Sequence, residues 1–261
     1  MMKPARSSIP QGVATFLPVA AEEKRAVEEI VFAVFADRGY REIIPPTFEY
    51  LDVLAPGLDA ELIEKSYKVV DRTTGRILVL RPDVTAQIAR IVAMGMVDQP
   101  LPLRLCYSAN VFRYEPEHAG RDREIFQIGI ELIGPRGTAA DVEPIMVAAE
   151  CLRRLGITAF TIAIGQGAFF NALLRRTGVS TSVQCNLREA AARKDVPRME
   201  VLLREAGVRG RDAKALLAVP ELFGGYEMLE AAARLAPRSE DCRRPLARLR
   251  EVWERMTAAG W

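Results

Sequence analysis

The sequence is poor in the residues that hold metals. Its 261 residues include one histidine, His118, and four cysteines, Cys106, Cys151, Cys185 and Cys242. No two of the cysteines form a C-x-x-C pair. A structural zinc site needs four N or S ligands at close spacing, so this composition argues against one. No metal or cofactor is expected. Dispersed cysteines in a chain of this length fit a reducing cytosol, which points to the cytoplasm. Their expected role is that of small buried hydrophobes. Long apolar runs are also lacking. No stretch reaches the roughly 18 apolar residues of a membrane-spanning helix. The opening Met1-Met2-Lys3-Pro4-Ala5-Arg6-Ser7-Ser8 has no apolar block behind its charges, unlike a secretory signal. Charge of one sign is not in excess either: 36 basic residues face 34 acidic ones, a net +2. Without a basic run nothing indicates a nucleic-acid footprint. Apolar residues are plentiful by contrast, at 49% of the chain, enough to bury a sizeable core.

Periodicity divides the chain into two parts. Val27, Ile30, Val31, Val34 and Phe35 recur at helical spacing, and Gly39 stands where a C-cap belongs, which predicts a helix over about 20–38. Tyr40–Ile44 is a short strand candidate, stopped by Pro45-Pro46. Tyr67–Val70 and Arg76–Leu80 flank a Gly-containing turn and predict a hairpin, and Val84–Met94 follows as a helix. Leu103–Tyr114 and Glu124–Gly134 are long strand candidates. Asp141 is placed to cap a helix running to Leu155, and Phe160–Ile164 is a further strand candidate. Beyond Asn171 helical stretches succeed one another. The expected organisation is an α+β core over 1–170, built on an antiparallel sheet, and a mostly helical subdomain over 171–261.

The chemistry concentrates on the strand from Glu124 to Gly134. Period-2 alternation puts Ile125, Gln127, Gly129 and Glu131 on one face, and Phe126, Ile128, Ile130 and Leu132 on a plain core face. Two polar side chains thus flank a residue without one. A glycine inside a strand can let a ligand approach the backbone, although the same pattern fits a solvated strand face. Arg113 ends the partner strand and offers a rigid fork suited to a carboxylate or phosphate. Arg113, Gln127 and Glu131 together make a polar floor suited to a small zwitterion. Arg81-Pro82-Asp83-Val84-Thr85 supplies the third piece. Asp83 and Thr85 fall at a helix start, where their oxygens can cap the helix or face a ligand.

These residues resemble a known family. Phe112-Arg113-Tyr114-Glu115, Gly120-Arg121 and Gln127-Ile128-Gly129-Ile130-Glu131 resemble motif 2 of the histidyl-tRNA synthetases. Gly39-Tyr40-Arg41-Glu42-Ile43 through Pro46-Thr47-Phe48-Glu49 resembles motif 1, with Pro46 as the dimer-interface proline. Arg81-Pro82-Asp83-Val84-Thr85 resembles the Arg-Pro-Glu-Gly-Thr segment beside the amino-acid pocket. The resemblance implies a class II synthetase-like antiparallel sheet flanked by helices. It implies that Asp83, Thr85, Gln127 and Glu131 surround a bound L-histidine, with Arg113 near its carboxylate. It puts Glu115 and Arg121 in an ATP region, and it implies a homodimer formed through motif 1.

Several departures shape the functional expectation. Asp83-Val84 replaces Glu-Gly, a form associated with a synthetase paralogue, the regulatory subunit of ATP phosphoribosyltransferase. Ile125 stands where the synthetases stack an aromatic on adenine, so a π-face is lost and the ATP region reads as vestigial. The second histidine motif, motif 3 and an anticodon-binding domain are not recognised before Trp261, so part of the catalytic-type fold is expected to be missing. The resemblance therefore implies a non-catalytic subunit of the first enzyme of histidine biosynthesis, for which tRNA is not an expected partner. Its partner would be the catalytic subunit of ATP phosphoribosyltransferase, and it would sense histidine for feedback inhibition. The alternative is a catalytic-domain fragment of a histidyl-tRNA synthetase, a ligase.

Overall fold

The computed structural model of the chain describes residues 9–114, 122–235, 237 and 239–261. Two compact units emerge: residues 1–136 with 143–159, and residues 137–142 with 160–261.

In the first unit the helix α1 (Pro18–Asp37) starts with Pro18 at a position where its missing N–H costs nothing. It is followed by β1 (Arg41–Glu42), β2 (Phe48–Tyr50), the one-turn helix α2 (Leu51–Leu54) and α3 (Ala60–Lys65). The Asp59 side chain caps α3 by accepting from the Leu62 N–H at 2.7 Å. Next come the hairpin strands β3 (Lys68–Val70) and β4 (Ile77–Leu80), the helix α4 (Thr85–Gly95), and the long strands β5 (Leu103–Phe112) and β6 (Glu124–Ile133). The strands form two three-stranded sheets, ordered β1-β5-β6 and β2-β4-β3. β5 and β6 pair antiparallel along their whole lengths, from Leu103 opposite Ile133 to Phe112 opposite Glu124.

β1, however, runs parallel to β5, so the expectation of an antiparallel sheet holds for β5–β6 but not at β1. A parallel pair needs a long crossover, and the hairpin and α4 lie between Glu42 and Leu103.

Apolar residues cover both faces of the β5–β6 pair. Val31, Val34, Phe35 and Tyr40 pack with Cys106, Val147 and Cys151 against Ile128 and Ile130. On the other face Val84 and Ile88 pack against Leu105, Tyr107, Ala109 and Val111. Phe126 faces away from the second cluster, with the Lys24 ammonium 3.6 Å from its ring centre. The alternation along β6 is therefore as the sequence predicts.

The helix α5 (Thr138–Arg154) begins three residues before Asp141. Asp141 does not cap it but sits in its first turn, where its carboxylate pairs with Arg248. The second unit contains α6 (Gly167–Thr177), α7 (Thr181–Ala192), α8 (Val196–Glu205), α9 (Gly210–Ala218), α10 (Glu227–Leu235) and α11 (Glu240–Ala258). Three of its helix starts are capped by side chains, α6 by Gln166, which accepts from the Ala168 N–H, and α7 and α8 as follows. Ser180 accepts from the Val183 N–H and Asp195 from the Arg198 N–H, while α6 ends on Gly178 at φ 68°, where a side chain would strain the left-handed turn. The core of this unit is Leu173, Leu174, Leu187, Met199, Leu203 and Leu216, all at most 2% exposed.

Phe160–Ile164 forms no strand. It alternates in burial as a strand would, but no described segment pairs with it, and β-propensity without a partner makes no ladder. Phe160, Ile162 and Ile164 instead line a cavity of about 250 Å³ with Trp253, Met256 and Trp261.

Candidate functional site

The site is assembled by β6, the end of β5 and the first turn of α4. Cross-strand partners share a face, so the register sets Tyr107 opposite Gly129, Ala109 opposite Gln127 and Leu105 opposite Glu131. α4 lies over this face through Val84 and Ile88, both wholly buried. Its N-terminus thereby comes to β6, and the Thr85 hydroxyl donates to Glu131 Oε1 at 2.7 Å.

Asp83 does two things at once. Its Oδ1 accepts from the Ala86 N–H at 3.2 Å, which is the capping role. Its Oδ2 faces Arg113 Nη2 at 3.8 Å, and Arg113 Nε donates to the Pro82 carbonyl at 2.8 Å. The first turn of α4 thus joins Glu131, through Thr85, to Arg113, through Asp83. Gln127, four pairs along the ladder from Glu131 and on the same face, has its Oε1 buried without a hydrogen-bond partner, an acceptor left over for something else. Glu115 and Arg121 lie outside the described residues, as does His118.

The electrostatics favour a cation. Burial pushes the Glu131 carboxyl above the usual carboxylate range, the nearby Asp83 charge adds to this, and the Thr85 bond opposes it. Burial also raises the Tyr107 phenol, with Glu131 and Asp83 contributing and a hydrogen bond with Thr85 acting against them. Among the described residues, the carboxylates of Asp83 and Glu131 face the one guanidinium of Arg113. An ammonium group entering the site would supply a second cation to these two carboxylates.

Tyr107 is the residue that sequence reasoning missed. Its ring lies over Gly129: a Cβ there would meet Tyr107 Oη at 2.7 Å and Cζ at 2.8 Å. The room the glycine leaves on this face is taken by the Tyr107 ring, which is 7% exposed, and not left open for a ligand to reach the backbone. The signal that could have found it is the partner strand's own alternation, which puts Tyr107 on the same face as Arg113.

Ile125 lies in the apolar cluster with Val84 and Val111, and no aromatic takes its place on that face at its ladder position, where its partner is Val111. Pro46 lies on an exposed turn before β2, and the neighbouring Ile44 and Phe48 are 83% and 50% exposed.

The start of α4 delivers Asp83 and Thr85 to the face of the β5–β6 pair that carries Gln127 and Glu131 among apolar neighbours, and the α+β fold that does this is similar to the catalytic-type domain of the histidyl-tRNA synthetases. The model of the histidyl-tRNA synthetase family matches residues 12–260, and the chain belongs to that family. Within it, the chain is 41% identical over 252 residues to the ATP phosphoribosyltransferase regulatory subunit of Syntrophotalea carbinolica, an alignment covering 97% of this chain and 59% of that one. The corresponding protein of Geobacter sulfurreducens is 37% identical, with 98% and 58% covered, and that of Moorella thermoacetica 39% identical, with 97% and 64% covered. The crystal structure of an ATP phosphoribosyltransferase regulatory subunit/histidyl-tRNA synthetase from Bacillus halodurans superposes with a TM-score of 0.86 at 31% identity, covering 100% of this chain and 67% of that one. The chain thus spans between 58% and 64% of the length of these three curated relatives.

Proposed function

We propose that this chain acts as the non-catalytic regulatory subunit of an ATP phosphoribosyltransferase and senses L-histidine for feedback inhibition. Two lines of support meet. Relatives near 40% identity over almost the whole chain are named as regulatory subunits of ATP phosphoribosyltransferase. The observation that carries the reading is the convergence of Asp83, Thr85, Arg113, Gln127 and Glu131 on one face of β6. Asp83 or Glu131 would take the ligand's ammonium and Arg113 its carboxylate, and such pairing is what offsets the desolvation of a zwitterion. Histidine would bias a hetero-oligomer between two states, and the feedback would be a coupling free energy between its site and the catalytic subunit's.

Ile125 in the apolar cluster counts against an adenylate-forming site and so against the synthetase alternative. The exposed Ile44, Pro46 and Phe48 support a homodimer through the motif 1 turn, which light scattering at micromolar concentration would test; a monomer would refute it. All four cysteines are free, in keeping with the cytoplasm.

The test is phosphoribosyl transfer by the same organism's catalytic subunit, with and without this chain and with added histidine. Activity that needs the chain and falls with histidine supports the reading. Activity indifferent to the chain overturns it.

A further inference from the structure

The motif 1 turn and the first turn of α4 are bonded together, on the side of α4 away from Glu131. Three consecutive carbonyls of the turn are taken by donors from the 81–87 segment. The Pro45 carbonyl accepts from Arg81 Nη1 at 3.0 Å, the Pro46 carbonyl from Gln87 Nε2 at 2.7 Å, and the Thr47 carbonyl from the Arg81 N–H at 3.0 Å. Two adjacent prolines have no N–H to offer, so their carbonyls are their only main-chain handles. Gln87 is 0% exposed. Its Nε2 also donates to Glu49 Oε1 at 3.0 Å, and Arg90 pairs with the same carboxylate. Both amide protons are therefore spent on the turn and on β2.

Thr85 and Gln87 are two residues apart on one helix, which sets them roughly 200° apart around it. Thr85 reaches Glu131 while Gln87 reaches the motif 1 turn. The hydroxyl contact to Glu131 tolerates little movement: a shift of about 1 Å would carry 2.7 Å past hydrogen-bond range.

We propose that Gln87 is a positioning residue for the histidine pocket, fixing the first turn of α4 on the motif 1 turn so that Thr85 meets Glu131 and Asp83 faces Arg113. This rests on the pocket reading above. Gln87 touches no ligand in it and acts through Thr85 and Asp83.

The experiment is calorimetric titration of L-histidine into the full 261-residue chain and its variants. Gln87→Met keeps the length and removes the donor. It should weaken histidine about tenfold, the worth of one hydrogen bond. Thr85→Ala should do about the same. If Gln87 acts through Thr85, the double variant loses little more than either single one. A role in general stability would instead lower both melting temperatures and let the affinity losses multiply to about a hundredfold.

Gln87→Glu gives a second readout that does not depend on the first variant folding well. Facing a carbonyl and the Glu49 carboxylate, its carboxyl keeps one donor while protonated. Its affinity relative to the unaltered chain should recover as pH falls and decline as pH rises, while the Gln87→Met ratio stays flat.

Binding lost in Glu131→Gln but unchanged in Gln87→Met would overturn this inference and leave the pocket standing. Multiplying losses, or a Gln87→Glu ratio indifferent to pH, would also overturn it. No histidine binding by the unaltered chain would remove the pocket reading and this inference together.

Discussion

Replacing Glu131 by glutamine should weaken the ligand and strengthen the empty protein. Glu131 is held above the usual carboxylate range by burial and by the Asp83 charge, against the pull of the Thr85 bond. A carboxyl whose folded pKa is raised favours folding below its unfolded pKa. That contribution is lost as pH rises through the folded value. At neutral pH the ionised carboxylate is therefore a cost that the native state carries. The substituted amide retains an oxygen able to accept from Thr85 and lacks the charge, so Glu131→Gln should raise the melting temperature near pH 7. The gain should vanish below about pH 4, where ordinary carboxyls are themselves protonated.

For the ligand the sign reverses. A hydrogen bond between ammonium and carboxylate is worth about 1.5–3 kcal/mol, so losing the charge should raise the histidine Kd about 10- to 150-fold. For the unaltered chain, histidine affinity should fall as pH drops and Glu131 takes up its proton. Scanning calorimetry suits the stability arm, because both tryptophans, Trp253 and Trp261, lie outside the unit that carries β5 and β6. A lower melting temperature at neutral pH together with unchanged affinity would refute the reasoning.

Gly129→Ala should disturb the same face by a different route. Its Cβ would stand 2.7 Å from Tyr107 Oη, so the buried ring must move, at a cost of about 1–3 kcal/mol, and near-ultraviolet circular dichroism of the tyrosines should change with it. An unchanged spectrum and melting temperature would show that the ring yields freely. Thiol reagents should find Cys185 first, since it is exposed while Cys106, Cys151 and Cys242 are buried. Burial also pushes the Cys106 thiol up to about 11, which withholds the reactive thiolate at about pH 8. Rapid modification of two or more thiols in the native protein would contradict the packing.

How much of this was legible depended on whether a feature is local. The two faces of β6 follow from alternation alone, and Gln127 and Glu131 do share one, with Phe126 on the other. The Asp83 and Thr85 oxygens at a helix start follow from the proline stop and the apolar period after it. What stayed hidden needs a partner. Alternation along β5 puts Tyr107 on the Arg113 face, but its place opposite Gly129 follows only once Phe112 is known to face Glu124. The start of α5 was hidden for a similar reason. Its first turn extends back past Asp141 to Thr138, whose hydroxyl donates to Glu251, 113 residues further along the chain.

Gln87 shows the same limit from the opposite side. As a sequence position it is one polar residue in an amphipathic helix, and polarity there predicts a solvated face. The structure buries it completely, because the second of two adjacent prolines, 41 residues earlier, presents a carbonyl that needs a donor from elsewhere. Proline at 45 and 46 and glutamine at 87 are each unremarkable alone. The donor on α4 answers an acceptor on the motif 1 turn, and the helix that carries the donor also carries Thr85 to Glu131. A pocket built this way inherits its geometry from the turn that exposes Ile44 and Phe48.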